Sequence, residues 1–195
     1  GCGRFAEGCG ACPQLKSSDK DDLSRQIFLR KQAAYSALST DMVCLVTPSR
    51  WMADQSRRSA LLRRFPVKAI PNGLDTTLFS PRDRRKAREG LDIPLDSKVI
   101  LFVTGTFKDV RKGALLLQQA IAGIHDVENM LLVSVGGADP AVSMGVPHKS
   151  LAIVDDDQRM ALAFSAADLF VIPSTQDNLP NTVVEAMSCG TPAVG

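Results

Sequence analysis

The second half of the chain alternates short apolar segments with helical segments of about ten residues. The apolar segments are rich in Val, Leu, Ile and Phe, and they read VILFVTG, MLLVSVGG, SLAIV, DLFVIPS and PAVG. Helical spacing is found in GALLLQQAIAGI, DQRMALAFSAA and NTVVEAMSCG. Because parallel strands are joined by crossovers, usually helices, this alternation predicts an α/β fold with a parallel sheet and helices on both faces.

Residues 1–72 repeat the pattern on a smaller scale. Residues 22–37 predict an amphipathic helix. Its apolar face holds Leu23, Ile27, Phe28 and Tyr35. The segments DMVCLVTPS and VKAIPNG predict two short strands, and the helix between them begins after Ser49, a suitable cap. Residues 71–98 are rich in Pro, Gly, Asp and Arg, which predicts a linker or a surface connection.

Charge and composition argue against nucleic-acid binding and against a membrane span. The net charge is +2 and aromatic residues make up 5% of the chain, so neither a basic stripe nor a stacking platform is present. No apolar run reaches the roughly 18 residues that a span requires. Cys44 and Cys189 stand singly in apolar surroundings, which indicates a reducing compartment, and the expected location is the cytoplasm. The chain starts without Met and ends in a strand-like segment, so we expect incomplete domains at both ends.

The other three cysteines, Cys2, Cys9 and Cys12, lie together near the start of the chain. Cys9 and Cys12 have the C-x2-C spacing of a zinc half-site, with Cys2 as a third ligand. A structural zinc site needs four ligands, and both histidines, His125 and His148, belong to the other half of the chain. The cluster is therefore either a zinc site with a ligand upstream of this sequence or a set of packing cysteines, and the second interpretation is preferred.

The first strand of the second half leads into a basic loop. Gly105 ends the strand, Lys108, Arg111 and Lys112 follow, and Gly113 opens the next helix. Ligands of open parallel sheets bind outside the carboxyl ends of the strands, and a helix start with nearby cations suits a phosphate. The alternative is a solvated turn that happens to contain basic residues.

Two carboxylates follow the last full strand. Asp177 lies on the turn after it and Glu185 lies within the next helix, in an otherwise apolar stretch. Carboxylates accept hydrogen bonds from pairs of sugar hydroxyls, and an acid inside an apolar helix is seldom there for packing. The alternative is that Asp177 caps the helix and Glu185 reaches solvent. The run VDDD at residues 154–157 predicts a helix cap rather than a metal site.

These segments together resemble glycosyltransferase family 4. DNLPNTVVEAMSCGTPAVG, preceded by AADLFVIPS, resembles its donor-site signature of two glutamates separated by seven residues, with Asp177 in the first position and Glu185 in the second. RKG at residues 111–113 resembles the family's phosphate loop, and IPNGLDTTLFSPRD resembles its interdomain segment. The opening GCGACP, with RW further on, is similar to colanic-acid-type and other exopolysaccharide glycosyltransferases.

The resemblance implies the GT-B fold, with two Rossmann-like domains and parallel sheets. Residues 1–72 would be the end of the acceptor domain and residues 73–195 a truncated donor domain. Implied catalytic residues are Asp177 on the donor sugar, Glu185 on the ribose and Lys112 on the leaving diphosphate. The remaining donor-binding residues that the resemblance implies are Gly105, Lys108, Arg111, Gly113, Asn178, Leu179, Pro180 and Asn181.

Two positions depart from the family pattern. Asp177 stands where the family has glutamate, which shortens the reach of the carboxylate by roughly 1.5 Å. Thr106 stands where the family often has arginine, and the loop that follows is longer, which leaves Lys108 and Arg111 as substitutes.

The implied reaction is the retaining transfer of a hexose from a nucleotide diphosphate sugar to a polysaccharide or lipid-linked glycan. Preorganised cations stabilise the leaving diphosphate, so no metal or other cofactor is expected. The alternatives are a nucleotide-sugar epimerase of similar fold and a binding module without catalysis. We expect the 195 residues alone to be inactive. Basic residues between positions 57 and 86 predict either a solvated surface or contact with anionic lipid at the inner face of the membrane.

Overall fold

The computed structural model of the chain describes residues 2–107, 109–124, 128–137, 145–152 and 156–195. They form two compact units, Gly1–Asn72 and Gly73–Gly195. Every strand pairing among these residues is parallel, and helices lie between the strands in sequence. The predicted α/β class with parallel sheets is therefore confirmed. The assignment of the units to an acceptor and a donor domain stays a prediction.

The first unit has two strands and two helices. Its elements are the 3-10 turns Gly3–Ala6 and Pro13–Leu15, α1 (Leu23–Ser36), β1 (Leu45–Thr47), α2 (Arg50–Arg58) and β2 (Val67–Ala69). Strand β1 pairs with β2. Helix α1 is capped by the Asp22 carboxylate and α2 by the Ser49 hydroxyl, so the predicted start of α2 is confirmed.

Helix α1 is confirmed, but the apolar face predicted for it is only partly covered, with Ile27 and Tyr35 half-buried. Among the helix residues only Phe28 is buried, and Leu23 is 59% exposed. Helical spacing tells which side chains share a face. It does not tell whether another element covers that face, and within this unit Phe28 is the one residue of the predicted face that is fully buried.

The second unit is built on one five-stranded sheet. Its elements are α3 (Arg84–Gly90), β3 (Lys98–Thr106), the 3-10 turn Val110–Lys112, α4 (Ala114–Ala122), β4 (Met130–Gly137), β5 (His148–Ser150), α5 (Asp157–Ala166), β6 (Leu169–Val171), α6 (Asn181–Ser188) and β7 (Ala193–Val194). The strand order is β5-β4-β3-β6-β7. After β3 the chain first builds the sheet in one direction and then returns to the other side of β3. The strand order therefore reverses between β3 and β6, which is where ligands of open α/β sheets bind.

Strand β5 begins earlier than the sequence predicts. The predicted strand SLAIV covers residues 150–154, whereas β5 runs from His148 to Ser150 and pairs with β4. Residues 153 and 154 of the predicted strand lie outside the described residues. Because β5 is an edge strand with exposed side chains at both ends, it lacks the continuous apolar run typical of a buried parallel strand.

Both faces of this sheet are buried. Along β3, Val99 and Leu101 pack in one cluster with Phe164 of α5, whereas Phe102 packs in another with Leu117 of α4. Successive side chains of a strand point to opposite faces, so the two clusters lie on opposite sides of the sheet. This explains why the sequence of β3 is apolar almost throughout.

The predicted linker, residues 71–98, belongs to the second unit from residue 73 onward and contributes apolar residues to its core, so the linker prediction is wrong for that part. Phe79, Ala87, Leu91 and Ile93 are all buried against the sheet cluster, and α3 contacts α5. In the sequence these apolar residues are widely spaced among charged residues, so the average composition of the segment does not reveal them. The segment is therefore exposed on its outer side, as a surface connection would be, but its apolar side chains pack against the core of the second unit.

A buried arginine of α3 links this helix to the sheet. Arg88 is 5% exposed and forms an ion pair with Asp168 at 2.8 Å. Its guanidinium also donates to three backbone carbonyls, those of Leu95, Ser97 and Ala166. A buried charge needs this degree of pairing, because an unpaired one carries a large desolvation cost.

Several residues of the basic stretch have partners within their own unit. Arg57 pairs with Asp54, and Arg85 pairs with Glu89. Arg84 pairs with Asp168. Contact with anionic lipid stays a prediction. None of the helices among the described residues combines the length and the apolar character of a transmembrane span.

Candidate functional site

The loops after β3 and β6 meet where the strand order reverses. The backbone N–H of Thr175 donates to the Arg111 carbonyl at 2.9 Å, which joins the two loops directly. Beside this bond, the Lys112 ammonium lies 2.8 Å from a carboxylate oxygen of Asp177. The basic loop and the acidic turn, which the sequence predicts separately, are therefore one site.

Gly113 makes this close approach possible. Its φ of +73° is in the left-handed region, and a Cβ at this position would overlap the carbonyl oxygen of Pro173. Glycine has no Cβ and adopts this φ at little cost. The predicted importance of Gly113 thus has a physical reason in the packing of the two loops.

The two helices that start at this site have no side-chain cap from their N-cap residues in the part of the chain that the structure describes. The caps of α4 and α6 are Gly113 and Pro180, and neither offers a side-chain hydrogen bond to the first turn. The other four α-helices among the described residues are capped by side chains, those of Asp22, Ser49, Asp83 and Asp156. The cap at Asp156 confirms the predicted role of the VDDD run. The backbone N–H groups of a first helical turn and the positive end of the helix dipole favour an anion at the starts of α4 and α6.

Asp177 does not cap α6, contrary to the alternative considered from the sequence. One of its oxygens accepts from Lys112, and the other accepts from the backbone N–H of Asn178 at 2.8 Å. Burial opposes ionisation of Asp177, but the Lys112 hydrogen bond, the Asn178 N–H and the charges of Lys112 and Arg111 outweigh it and lower its pKa. Asp177 is therefore ionised at neutral pH and holds Lys112.

The neighbouring arginine is paired as well. The Arg111 guanidinium donates to both oxygens of Asp109, at 3.1 and 2.9 Å. These hydrogen bonds, together with the charge of Asp109, raise the pKa of Arg111. Lys108, the third predicted cation, lies outside the described residues. Both described cations of the loop thus have acidic partners.

Glu185 is half-buried in the middle of α6. Burial, and then the negative charge of Asp157 at the start of α5, raise its pKa. Among the described residues its carboxylate has neither a hydrogen bond nor an ion pair. The alternative interpretation of the sequence, in which the Glu185 side chain reaches solvent, does not agree with this partial burial. Its contact with the same ligand as Asp177 stays a prediction.

Replacing Glu185 by glutamine is expected to raise the midpoint of thermal unfolding at neutral pH. The pKa of Glu185 is higher in the folded protein than in the unfolded chain, so the unfolded chain loses the proton first as the pH rises. Once ionised, the folded protein contains a partly buried charge, whereas the same charge is hydrated in the unfolded chain. The gain should disappear below the ordinary pKa of about 4.5, where the carboxyl is protonated in both states. Thermal denaturation of both proteins across this pH range measures the effect.

Glu89→Gln is the matched control, because Glu89 is exposed and pairs with Arg85. It should give no gain at neutral pH. An equal gain from both substitutions would show that burial of the Glu185 charge is not the cause.

The remaining predicted residues lie around the same loops. Gly105 is exposed in β3, and a Cβ there would meet open space. Leu179 and Pro180 are half-buried before α6, and Asn181 is its exposed first residue. The backbone N–H of Asn178 is engaged by Asp177.

The cysteines are all unbridged. Burial, and then the charges of Cys2 and Cys12, raise the pKa of the Cys9 thiol, so the three side chains are neighbours. The described part of the chain nevertheless contains no group of three or more His, Cys, Asp or Glu side chains that could hold a metal ion. Cys189 is buried, whereas Cys44 is exposed in spite of its apolar neighbours in sequence.

Sequence reasoning missed three residues of this region. Asp109 holds Arg111, and Asp157 raises the pKa of Glu185. Ser174 lies three residues after the end of β6, and its hydroxyl oxygen is buried without a hydrogen-bond partner among the described residues. Its place at the carboxyl end of a strand was the available signal.

Comparison with known proteins identifies a family match that lies within the second unit, and relatives that align with about two thirds of the chain. Residues 97–195 match the family of glycosyl transferases group 1. D-inositol 3-phosphate glycosyltransferase 2 of Catenulispora acidiphila is 32% identical over 145 residues, which cover 66% of this chain and 34% of that protein. D-inositol 3-phosphate glycosyltransferase of Mycobacterium leprae is 30% identical over 136 residues, covering 63% of this chain and 30% of the relative. The chain spans about a third of the length of these relatives.

Solved structures resemble both units. Sucrose-phosphate synthase from Thermosynechococcus elongatus has a TM-score of 0.67 and 25% identity, over 96% of this chain and 46% of that one. The Anabaena protein HepE has a TM-score of 0.63 and 21% identity, over 95% of this chain and 50% of its own. These likenesses confirm the GT-B fold class. Because the family match extends over just over half of its residues, the chain belongs to the group 1 glycosyltransferases.

Proposed function

We propose that the protein containing this chain transfers a hexose from a nucleoside diphosphate sugar to a glycan or lipid-linked acceptor, with retention of configuration. The observation that carries the proposal is the contact of Lys112, which lies just before α4, with Asp177 in the turn before α6, at the reversal of strand order. Such an edge suits a diphosphate. HepE, which shares the fold, has been solved in complex with UDP-glucose, and this supports a nucleotide sugar as the ligand class.

The roles of the side chains follow from where charge develops. When the bond between sugar and phosphate breaks, negative charge accumulates on the diphosphate. Lys112 and the N–H groups at the starts of α4 and α6 would stabilise it, which requires no metal. Asp177 would accept from hydroxyls of the donor sugar, and Glu185 from those of the ribose.

The test is nucleotide binding by Glu185→Ala in the intact protein, measured by isothermal titration calorimetry with UDP, GDP and ADP. Hydrogen bonds to a charged group are strong, so we expect affinity for the preferred nucleotide to fall roughly ten- to a hundred-fold. A dideoxy analogue of that nucleotide, which lacks both ribose hydroxyls, should bind the two proteins equally.

Glu89→Ala serves as the control for loss of an acid on an exposed helix and should bind like the wild type. Unchanged affinity in Glu185→Ala would contradict the ribose role. Absence of binding to all three nucleotides by the wild type would contradict the proposed donor.

Product analysis by mass spectrometry identifies the reaction. The acceptors to be tried are D-inositol 3-phosphate, named in the relatives, and lipid-linked glycans, suggested by the likeness of the chain's opening to exopolysaccharide enzymes. A glycosylated acceptor supports a transferase. An isomerised donor indicates an epimerase, and binding without turnover indicates a binding module without catalysis.

The proposed location of the protein is the cytoplasm, at the inner face of the membrane if the acceptor is lipid-linked.

A further inference from the structure

The cation proposed to bind the diphosphate already has an anionic partner within the protein. The Lys112 ammonium and the Asp177 carboxylate are 2.8 Å apart, and their side chains are 38% and 27% exposed. Both ends of the pair are therefore within reach of a ligand from solvent. A diphosphate that binds Lys112 has to compete with Asp177 for the same charge.

The backbone holds the two partners in place. The bond from Thr175 to the Arg111 carbonyl fixes the residue before Lys112, and the contact of Gly113 with Pro173 fixes the residue after it. On the other side, the Asn178 N–H orients the second oxygen of Asp177. The pair is thus a built feature of the two loops rather than a chance contact of long side chains.

We infer that the ion pair between Lys112 and Asp177 is an internal competitor that distinguishes the nucleotide sugar from the nucleoside diphosphate product. This inference rests on the proposed function. A bound nucleotide sugar supplies both replacements: its diphosphate binds Lys112, and its sugar hydroxyls donate to the released carboxylate. The product retains only the diphosphate, so Asp177 loses its partner when the product binds. Asp177 then competes for Lys112 and favours product release.

The size of the effect follows from the exposure of the pair. Partly exposed ion pairs stabilise by amounts that correspond to a factor of up to about five in an equilibrium constant. Asp177→Asn, whose amide oxygen still accepts from the Asn178 N–H, is therefore expected to bind UDP roughly two- to five-fold more tightly than the wild type. Its preference for UDP-glucose over UDP should fall, because the amide is a weaker acceptor for sugar hydroxyls.

The experiment is a double-mutant cycle in the intact protein, with Asp177→Asn, Lys112→Gln and the double variant, and with UDP and UDP-glucose as probes in calorimetry. If GDP or ADP binds better, that nucleotide and its sugar replace them. The tightening by Asp177→Asn should be absent when Lys112 is glutamine. Tightening of equal size in both backgrounds would mean that Asp177 acts through bulk charge, and no tightening would mean that it does not compete. Either result overturns the inference about the ion pair but leaves the proposed binding of the nucleotide unaffected. Lack of binding by the wild type overturns the proposed function as well.

A second measurement needs no nucleotide. The acylation rate of Lys112, followed by mass spectrometry, should rise in Asp177→Asn because the carboxylate no longer shields the amine. Lys149, which donates to the Asp92 carbonyl, is the internal control. An unchanged rate at Lys112 would show that the pair is not formed in solution and would overturn the inference.

Discussion

Replacing Arg88 by leucine is expected to lower the free energy of unfolding by about 3–5 kcal/mol, because it removes one partner of a buried ion pair. The substitution leaves three carbonyl groups without their Arg88 donor and removes one of the two hydrogen bonds to Asp168 Oδ2. Leucine supplies apolar volume but no hydrogen bonds. Urea denaturation followed by circular dichroism measures the change.

Asp168 forms further hydrogen bonds besides the one with Arg88. It also accepts from the Val99 N–H at the start of β3, at 2.8 Å, and from Arg84 at 2.9 Å. The carboxylate thus joins α3 to the first strand of the unit. These remaining donors keep Asp168 partly compensated in the variant, so the protein is expected to fold, with lower stability.

Arg85→Leu is the matched control, since Arg85 lies on the same helix and its pair with Glu89 is exposed. Exposed pairs contribute less than about 1 kcal/mol, so this variant should unfold close to the wild type. If the two substitutions destabilise equally, the effect comes from α3 itself and not from the buried network.

Gly113→Ala is expected to destabilise by about 2–4 kcal/mol, by adding a left-handed backbone penalty to a steric overlap. The new methyl group would overlap the Pro173 carbonyl oxygen unless the two loops separate. Separation would also move Lys112 and the start of α4 away from the start of α6, which are proposed to bind the diphosphate together, so nucleotide affinity should fall together with stability. Urea denaturation and calorimetry on the same preparation measure both effects.

Gly90→Ala is the control, because a Cβ at the end of α3 would meet nothing within 4 Å. It should be neutral or slightly stabilising, since alanine restricts the unfolded chain. A Gly113→Ala protein as stable as Gly90→Ala would mean that the loops yield without cost. In that case the close approach of Gly113 and Pro173 does not hold the site together.

Local patterns predict the elements well where each element can be identified from its own residues. The apolar run of β3 and the helical spacing of α4 are examples, because burial on both faces leaves a continuous signature in the sequence. The helix caps at Ser49 and Asp156 are of the same kind, since a cap acts within three residues.

Predictions failed where the outcome depends on what covers a surface. Leu23 has the spacing of a buried residue and is exposed, whereas Phe79 stands in a polar segment and is buried. Both outcomes depend on neighbours that are distant in sequence. Composition and periodicity describe one segment at a time and carry no information about such neighbours.

The residue types of the site, its basic loop and its two acids, could be inferred from sequence because their chemistry depends on side chains and local spacing. The pairing of Lys112 with Asp177 could not, because these residues are 65 positions apart. Their contact requires β3 and β6 to be neighbours in the sheet, and that order results from the packing of the whole unit. Amino-acid chemistry thus specifies what the site contains, and long-range packing specifies which of its charges meet.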